Sequence, residues 1–298
     1  MHTPVAVLIA LMLLNLVAVP IALAQETRIL FYSRSEGFEH SPVVQKEGKP
    51  SIAEKTLSDL ASENGAPFTS TKDGTKITAD NLKNFDLVIF YTQGDLTKPE
   101  SKDGAPPVGP KAEADLVDWV KNGGRFMGFH SASDTFHTPP SGEVTPYLKM
   151  VGAEFSGHGP QFEGTVKVVD PTHPAMANIP QDWKLLEEWY MFKNFNKGTV
   201  HVLALLDPGP ARAKVKEYNI PDYPIIWCSA FGKGKVYFSA LGHRDELWQD
   251  PIFQKSIVDA GTWLMGEGQE GIEPNFDKVV PKDKPAAEKP AEKPAEKK

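Results

Sequence analysis

The apolar positions in the first half of the chain alternate between strand-like and helix-like spacing. Short apolar runs rich in β-branched and aromatic residues predict strands over residues 27–33, 67–71, 86–92 and 125–129. Apolar residues repeated at intervals of three and four predict helices between those strands, over residues 51–64 and 111–121. This order of elements is typical of a parallel sheet with right-handed crossovers.

The second half of the chain changes character and favours antiparallel pairing. Alternating or apolar runs predict further strands over residues 164–170, 200–206, 225–231 and 235–240. The last two flank a Gly-Lys-Gly turn and should form a hairpin, and a helix is expected over residues 251–265. The pattern predicts one α/β domain over residues 25–280. We expect a flavodoxin-like, mostly parallel sheet with helices on both faces and antiparallel strands at one edge.

The first 24 residues follow neither pattern. Residues 5–24 are almost wholly apolar and close on Ala22-Leu23-Ala24, an A-x-A cleavage pattern that predicts a signal peptide over residues 1–24. The rival interpretation is a transmembrane anchor, since about 20 apolar residues can span a bilayer. Cleavage would place the protein in the periplasm or outside the cell, with a membrane contact only while this segment stays attached.

The other end is dominated by Ala, Glu, Lys and Pro. Residues 281–298 contain no aromatic residue and are expected to form a disordered, solvated tail. The whole chain has a formal net charge of −7, and the lysine-rich tail leaves the rest more acidic still. Nucleic acid, which needs a basic surface, is therefore not an expected partner. The single cysteine, Cys228, excludes an intramolecular disulfide and should be a buried, unreactive thiol inside a strand.

Polar residues follow the predicted strands directly, at the positions where open parallel sheets bind ligands. The candidates in the first half are His40, Gln93, His130, Ser131 and Asp134. The candidates in the second half are His158, Glu188, Tyr190, His243 and Arg244. Because the carboxyl ends of parallel strands share one edge of the sheet, we expect these side chains to meet in one site.

Several short motifs follow one another along the chain between about residue 28 and residue 266. They are Gly37-Phe-Glu-His40, Gly123–Ala132, Val151–His158, Asp170–Pro174, Glu188–Tyr190, and Gly232–Phe238 followed by Leu241–His243. Together they resemble the ThuA-like, trehalose-utilisation family within the class I glutamine-amidotransferase-like superfamily. The resemblance implies a flavodoxin-like fold, a role in carbohydrate metabolism, and a sugar or glycoside, including oxidised keto sugars, as the small-molecule partner.

The same resemblance excludes one activity. Glutamine amidotransferases of this superfamily carry a nucleophilic cysteine on a tight turn between a strand and a helix, and His130 occupies the matching position within Gly128–Ala132. An imidazole cannot form the γ-glutamyl thioester that the reaction requires, and Cys228 lies in the middle of a strand. Glutaminase activity is therefore not expected.

The leading hypothesis is a metal-assisted or acid–base enzyme acting on sugars, of the hydrolase, lyase or isomerase type. His40, His130 and His243 with Glu188 offer three nitrogens and one carboxylate, a set that suits Zn²⁺ and leaves room for water. His130 would act as metal ligand or general base, and Glu188 as acid or fourth ligand. Asp134 would orient a histidine ring.

Two other interpretations remain open. A serine hydrolase would use Ser131, although the G-x-S-x-G pattern is absent. A non-catalytic carbohydrate-binding or scaffold protein would stack sugar rings on aromatic residues, although core packing explains each of them singly: Trp183, Trp189, Tyr190 and Trp248. The expected substrate-binding residues are Gln93, Ser131, Tyr190, His158 and Arg244.

Overall fold

The computed structural model describes residues 26–268 and 271–283. The predicted signal peptide, residues 1–24, lies outside the described residues, as does all of the predicted tail after residue 283. Within the described part of the chain, no helix is long and apolar enough to cross a bilayer.

The described strands form a nine-stranded sheet and a separate two-stranded ribbon. They are β1 (Ile29–Tyr32), β2 (Phe68–Thr71), β3 (Leu87–Phe90), β4 (Arg125–Phe129), β5 (Glu154–His158), β6 (Phe162–Val168), β7 (Asp182–Glu187), β8 (Tyr190–Lys193), β9 (His201–Asp207), β10 (Tyr223–Phe231) and β11 (Gly234–Ser239). The large sheet has the order β2-β1-β3-β4-β11-β10-β9-β6-β7, and β5 pairs with β8.

The large sheet divides into a parallel and an antiparallel half. Strands β2, β1, β3, β4 and β11 run parallel to one another. From β11 onward, each pair through β10, β9, β6 and β7 is antiparallel. The predicted α/β fold, with antiparallel strands added at one edge of a parallel sheet, is confirmed.

Two groups of helices cover the parallel half. The helices of the described chain are α1 (Ile52–Glu63), α2 (Ala79–Leu82), α3 (Ala112–Lys121), α4 (Pro146–Val151), α5 (Ala211–Lys214), α6 (Pro251–Met265) and α7 (Phe276–Val279). Helices α1 and α6 form one group, α2, α3 and α4 form the other, and α7 packs against the antiparallel strand β9. Helix α1 begins at a capping box formed by Ser51 and Glu54, and α6 begins where the Asp250 side chain accepts a hydrogen bond from the Ile252 amide, so local chemistry defines both starts.

The two helix groups lie on opposite faces of the sheet. Phe126 on β4 packs against Tyr147 of α4, with ring centroids 5.9 Å apart. Phe129, three residues along the same strand, packs against Phe253 of α6 at the same centroid distance. Since residues an odd number apart on a strand point to opposite faces, α4 and α6 cover different faces, as the predicted fold requires.

Three strands were not anticipated from the sequence: β5, β7 and β8. Strand β5 contains Gly157 and exposed polar positions, and its pairing with β8 shifts register between Phe155 and Gly157. A short, half-exposed ribbon of this kind needs no continuous apolar run, so hydrophobic periodicity does not reveal it.

Candidate functional site

Three histidines follow three parallel strands at one edge of the sheet. His40 lies in the segment after β1, His130 directly follows β4, and His243 follows β11 by four residues. These strands run in the same direction, so their carboxyl ends share an edge, which is where ligands bind in open sheets. The fourth member, Glu188, sits between β7 and β8.

The four side chains form one compact cluster. One ligand atom from each of His40, His130, Glu188 and His243 lies within 4.8 Å of the others. His243 Nδ1 is 3.2 Å from His130 Nε2 and 3.2 Å from Glu188 Oε2. The His40 ring centroid is 4.9 Å from that of His130 and 5.4 Å from that of His243. The strand-end histidines therefore share a single site.

A backbone carbonyl fixes the orientation of the His130 ring. His130 is fully buried and its Nδ1 donates to the Ala240 carbonyl at 2.8 Å. Since a carbonyl only accepts hydrogen bonds, Nδ1 carries the proton and the Nε2 lone pair faces the cluster. His130 also has a φ of 43°, a conformation that is costly for a residue other than glycine and that concentrates at functional sites.

Burial controls the charge of the cluster. It lowers the pKa of His40 to about 2, helped by the nearby His130 and His243, and it also lowers the pKa of His130. For Glu188, burial raises the pKa, but the polar and charge interactions of the carboxylate with the neighbouring His130 and His243 side chains outweigh it and bring the pKa below its ordinary value. At neutral pH the site thus presents two neutral imidazoles beside an ionised carboxylate, which are the protonation states that metal binding needs.

His40 retains an unused polar atom. Its Nε2 lies 3.1 Å from the Tyr190 hydroxyl, while its Nδ1 is buried and has no hydrogen-bond partner among the described residues. Buried polar atoms are satisfied in the large majority of cases, so an orphaned imidazole nitrogen in this cluster marks a place where a ligand fits.

Two of the residues predicted to bind substrate border the cluster. The Tyr190 ring lies over the His130 ring, with centroids 3.9 Å apart. His158, whose side chain is 44% exposed, places Nδ1 3.3 Å from Glu188 Oε1. Both come from the β5–β8 ribbon, so this unanticipated element forms one wall of the site.

A family model described as trehalose utilisation, ThuA, matches residues 28–264. The chain belongs to the ThuA family. No curated protein is detectably similar to it.

Solved structures share the fold of this ThuA chain. A ThuA-like protein of Bacteroides uniformis is 22% identical with a TM-score of 0.62, over 85% of this chain and 98% of that one. A ThuA-like protein of Parabacteroides merdae is 13% identical with a TM-score of 0.58, over 84% of this chain and 95% of that one. At these identities the similarity shows the ThuA fold and no more.

Asp134 does not orient any ring of the cluster. Its carboxylate lies 2.8 Å from Nε2 of His137, a histidine outside the cluster, and accepts from Gln93 Nε2 at 3.2 Å. The expectation that Asp134 would orient a histidine thus applies to His137. The sequence could not distinguish the two rings, because both lie within four residues of Asp134.

The other predicted residues lie beside the cluster without contacting it. The Ser131 hydroxyl and Gln93 Oε1 are buried without a partner in the described part of the chain. A serine nucleophile needs a hydrogen-bonded base, so Ser131 lacks the partner that the serine-hydrolase alternative requires. Arg244 donates to Gln161 Oε1 at 2.7 Å and pairs with Glu246.

Glu187 supports the candidate site in a way that the sequence did not reveal. Its buried carboxylate accepts from the Glu188 amide at 2.8 Å and from the Gly242 amide at 3.2 Å. Burial raises its pKa to about 7, even though these backbone hydrogen bonds act in the opposite direction. Glu187 thereby joins the segment that carries Glu188 to the segment that carries His243, a role that alternation along the strand could not show.

The tryptophans considered for sugar stacking belong to the core. Trp183, Trp189 and Trp248 are 6%, 1% and 0% exposed. They cannot offer a free ring face to a ligand, so core packing accounts for them. Tyr190 is equally buried, at 2% exposed, but among these candidates it is the one that contacts the cluster.

Proposed function

We propose that this ThuA protein binds one divalent metal ion, with zinc as the best fit, through His40, His130, His243 and Glu188. The observation that carries the proposal is the convergence of these four ligand atoms within 4.8 Å of one another. Three imidazole nitrogens and one carboxylate oxygen are ligands that zinc commonly takes in proteins.

The surroundings of the cluster support this assignment. Metal-binding histidines usually donate their second ring nitrogen to a carbonyl or carboxylate, and His130 donates to the Ala240 carbonyl in this way. The unpartnered Nδ1 of His40 is a buried lone pair or N–H that the described residues leave unsatisfied. Both features suit a site built around a ligand.

We further propose that the site performs acid–base chemistry in the breakdown of a disaccharide or keto sugar, by hydrolysis, elimination or isomerisation. A bound metal ion would polarise a sugar oxygen and lower the pKa of a coordinated water. His158 is half exposed and 3.3 Å from Glu188, so it is placed to exchange a proton between the cluster and solvent. The family description as trehalose utilisation supports a carbohydrate substrate.

Metal analysis of the purified full-length protein tests the first proposal. We expect about one equivalent of zinc per chain, removed by a chelator and lost in His130→Ala. The matched control is His137→Ala, because His137 is a nearby histidine that contacts Asp134 and not the cluster. Equal metal content in His130→Ala and the wild type would contradict the proposed site.

Activity assays test the second proposal. The metal-loaded protein would be assayed on a panel of disaccharides and their keto derivatives, with turnover followed by chromatography. Turnover that disappears in His130→Ala and survives in His137→Ala supports an enzyme. Sugar binding without turnover would favour the non-catalytic carbohydrate-binding alternative.

We also propose that the protein is exported and that residues 1–24 are removed. The apolar run that closes on Ala22-Leu23-Ala24 supports this proposal. Mass spectrometry of protein isolated from its native host should find Gln25 at the amino terminus, in the periplasm or the medium. An intact leader in the membrane fraction would instead favour the anchor.

A further inference from the structure

Phe38 is an exposed aromatic residue beside an otherwise polar site. Its side chain is 60% exposed, and Leu186 is the other large hydrophobic residue in the described part of the chain with comparable exposure. Single exposed apolar residues are common on protein surfaces, so exposure alone assigns no role. The position of Phe38 is what distinguishes it.

The Phe38 ring contacts the proposed metal cluster directly. It meets the His40 ring edge to face, with centroids 4.9 Å apart and an interplanar angle of 83°. His40 itself is 2% exposed, so Phe38 lies between the buried cluster and the solvent. The solvent-facing side of the Phe38 ring is therefore an apolar surface next to His40.

The chain on the carboxyl side of Phe38 is firmly anchored. The next residue, Glu39, is paired with Lys72 at 2.5 Å, and Lys72 also pairs with Asp103 at 2.9 Å. The Lys72 side chain is 7% exposed, so this network is largely shielded from water and weakly screened. With Glu39 and His40 both held, the Phe38 ring is kept in solvent by a defined backbone and not by a loose loop.

One partly exposed polar side chain contacts the cluster, and another follows it in the chain. His158 reaches it through Glu188, and Arg244, whose side chain is 29% exposed, directly follows His243. A pyranose ring combines an apolar C–H face with hydroxyl groups around its rim. An exposed phenyl face that packs on an imidazole of a polar cluster is complementary to that combination, since binding sites pair apolar surface with a few placed polar groups.

We infer that Phe38 is the platform on which one pyranose ring of the substrate packs while an oxygen of that sugar reaches the cluster. This inference rests on the proposed function, because it takes the cluster as the reacting end of the site. It assigns a specificity role to Phe38: ring-shaped sugars bind through their C–H face, and acyclic polyols of similar polarity do not gain that contact.

Sugar binding by Phe38 variants of the full-length, metal-loaded protein tests the inference. Trehalose is the ring-containing probe and sorbitol the acyclic one, with affinity measured by calorimetry. We expect Phe38→Ala to weaken trehalose binding about 3- to 10-fold, in line with the loss of one aromatic contact, and Phe38→Trp to preserve it. Sorbitol binding should be unaffected by either change.

Leu186→Ala is the matched control. Leu186 is similarly exposed, at 50%, but it lies on β7 and alternates with the buried Glu187, so it faces away from the cluster. This variant should bind trehalose like the wild type, and all the variants should contain the same amount of metal as the wild type.

The outcomes separate the two proposals. Unchanged trehalose affinity in Phe38→Ala with normal metal content would overturn the role of Phe38 and leave the metal site intact. Failure of the wild type to bind trehalose while it holds metal would also overturn the pyranose platform. Absence of metal from a wild-type protein that binds trehalose would overturn the metal site alone, and the Phe38 comparison would still decide this inference.

Discussion

The parallel and antiparallel halves of the sheet contribute to the site in different ways. The parallel half supplies His40, His130 and His243, each in a segment that follows a strand. The antiparallel half, together with the β5–β8 ribbon, supplies Glu188, Tyr190 and His158. The first set is placed by a rule of topology that holds for any open parallel sheet. The second set is placed by pairings that are particular to this chain.

Because the two sets are placed in different ways, specific side-chain contacts must join them. The Glu154 carboxylate on β5 accepts from Thr138 in the segment after β4, at 3.1 Å, and from Asn194 beyond β8 at 2.8 Å. Glu187 links the Glu188 segment to Gly242 after β11. The buried carboxylates of Glu154 and Glu187 thus connect the β5–β8 ribbon and Glu188 to the segments that carry the histidines.

The largest expected effect concerns whether the halves unfold together. Trp227 on β10 is fully buried and stacks on Phe238 with centroids 4.4 Å apart, while Phe126 is equally buried in the parallel half. We expect Trp227→Ala and Phe126→Ala each to lower the free energy of unfolding by about 3–5 kcal/mol. Both variants should still unfold in a single transition in urea, because one continuous sheet spans both halves. Circular dichroism and fluorescence would monitor this unfolding.

The conservative variant Trp227→Phe serves as the control and should be less destabilised, since it leaves a smaller cavity. Two separate transitions, with only one shifted by Trp227→Ala, would show that the halves are independent folding units.

The next effect compares metal ligands from the two halves. Loss of a direct ligand should weaken zinc binding by more than about 100-fold, beyond the 10–100-fold range for an outer hydrogen-bond partner. We therefore expect His130→Ala and Glu188→Ala both to exceed 100-fold in a titration against a competing chelator, with His137→Ala unchanged. Near-normal affinity in Glu188→Ala would mean that the parallel half holds the metal alone.

A smaller effect concerns Glu154, which links the β5–β8 ribbon to the segment after β4. Burial raises the pKa of this carboxyl, but hydrogen bonds from Thr138 and Asn194 and the charge of Lys193 bring it below 4.5. A carboxyl whose pKa is lower in the folded than in the unfolded state stabilises the protein at pH values above the unfolded-state pKa. That stabilisation is lost as the pH falls through the folded-state pKa. Glu154→Gln should therefore cost about 1.5–3 kcal/mol at pH 7.

The same reasoning gives a pH dependence for the Glu154 variant. The difference in free energy of unfolding between the wild type and Glu154→Gln should be constant above about pH 5 and shrink as the pH is lowered through 4.5 and below. Urea titrations at several pH values measure it. A difference that grows toward acid pH would contradict the assigned ionisation.

The smallest effect concerns His158, which reaches the cluster only through Glu188. His158→Asn should weaken zinc binding about 10-fold, the lower end of the range for an outer partner, because the other histidines still contact the carboxylate. A loss as large as that of Glu188→Ala would make His158 a direct ligand and would shift the centre of the site toward the ribbon.

Much of the parallel half could be predicted from the sequence. Strand β3 consists of four consecutive buried apolar residues, as expected for a strand covered on both faces, and β4 begins and ends at the predicted residues. Once these strands are parallel, residues after their ends must approach one another. The sequence therefore predicts that His130 and its neighbours belong to one site.

The sequence by itself determined the strands of the parallel half and which histidines follow them, because apolar periodicity and turn residues act over a few positions. Only the tertiary structure decided that Asp134 contacts His137 and that Glu187 links to the His243 segment. Only the structure showed, too, that Phe38, which was not among the aromatics considered for sugar stacking, keeps an exposed face beside His40. The Glu187 contact joins residues far apart in the chain, the Asp134 contact depends on how the backbone turns after β4, and the exposure of Phe38 depends on what packs around it. Neither distant pairing nor burial is encoded in the spacing of neighbouring residues, and both arise when the whole sheet is assembled.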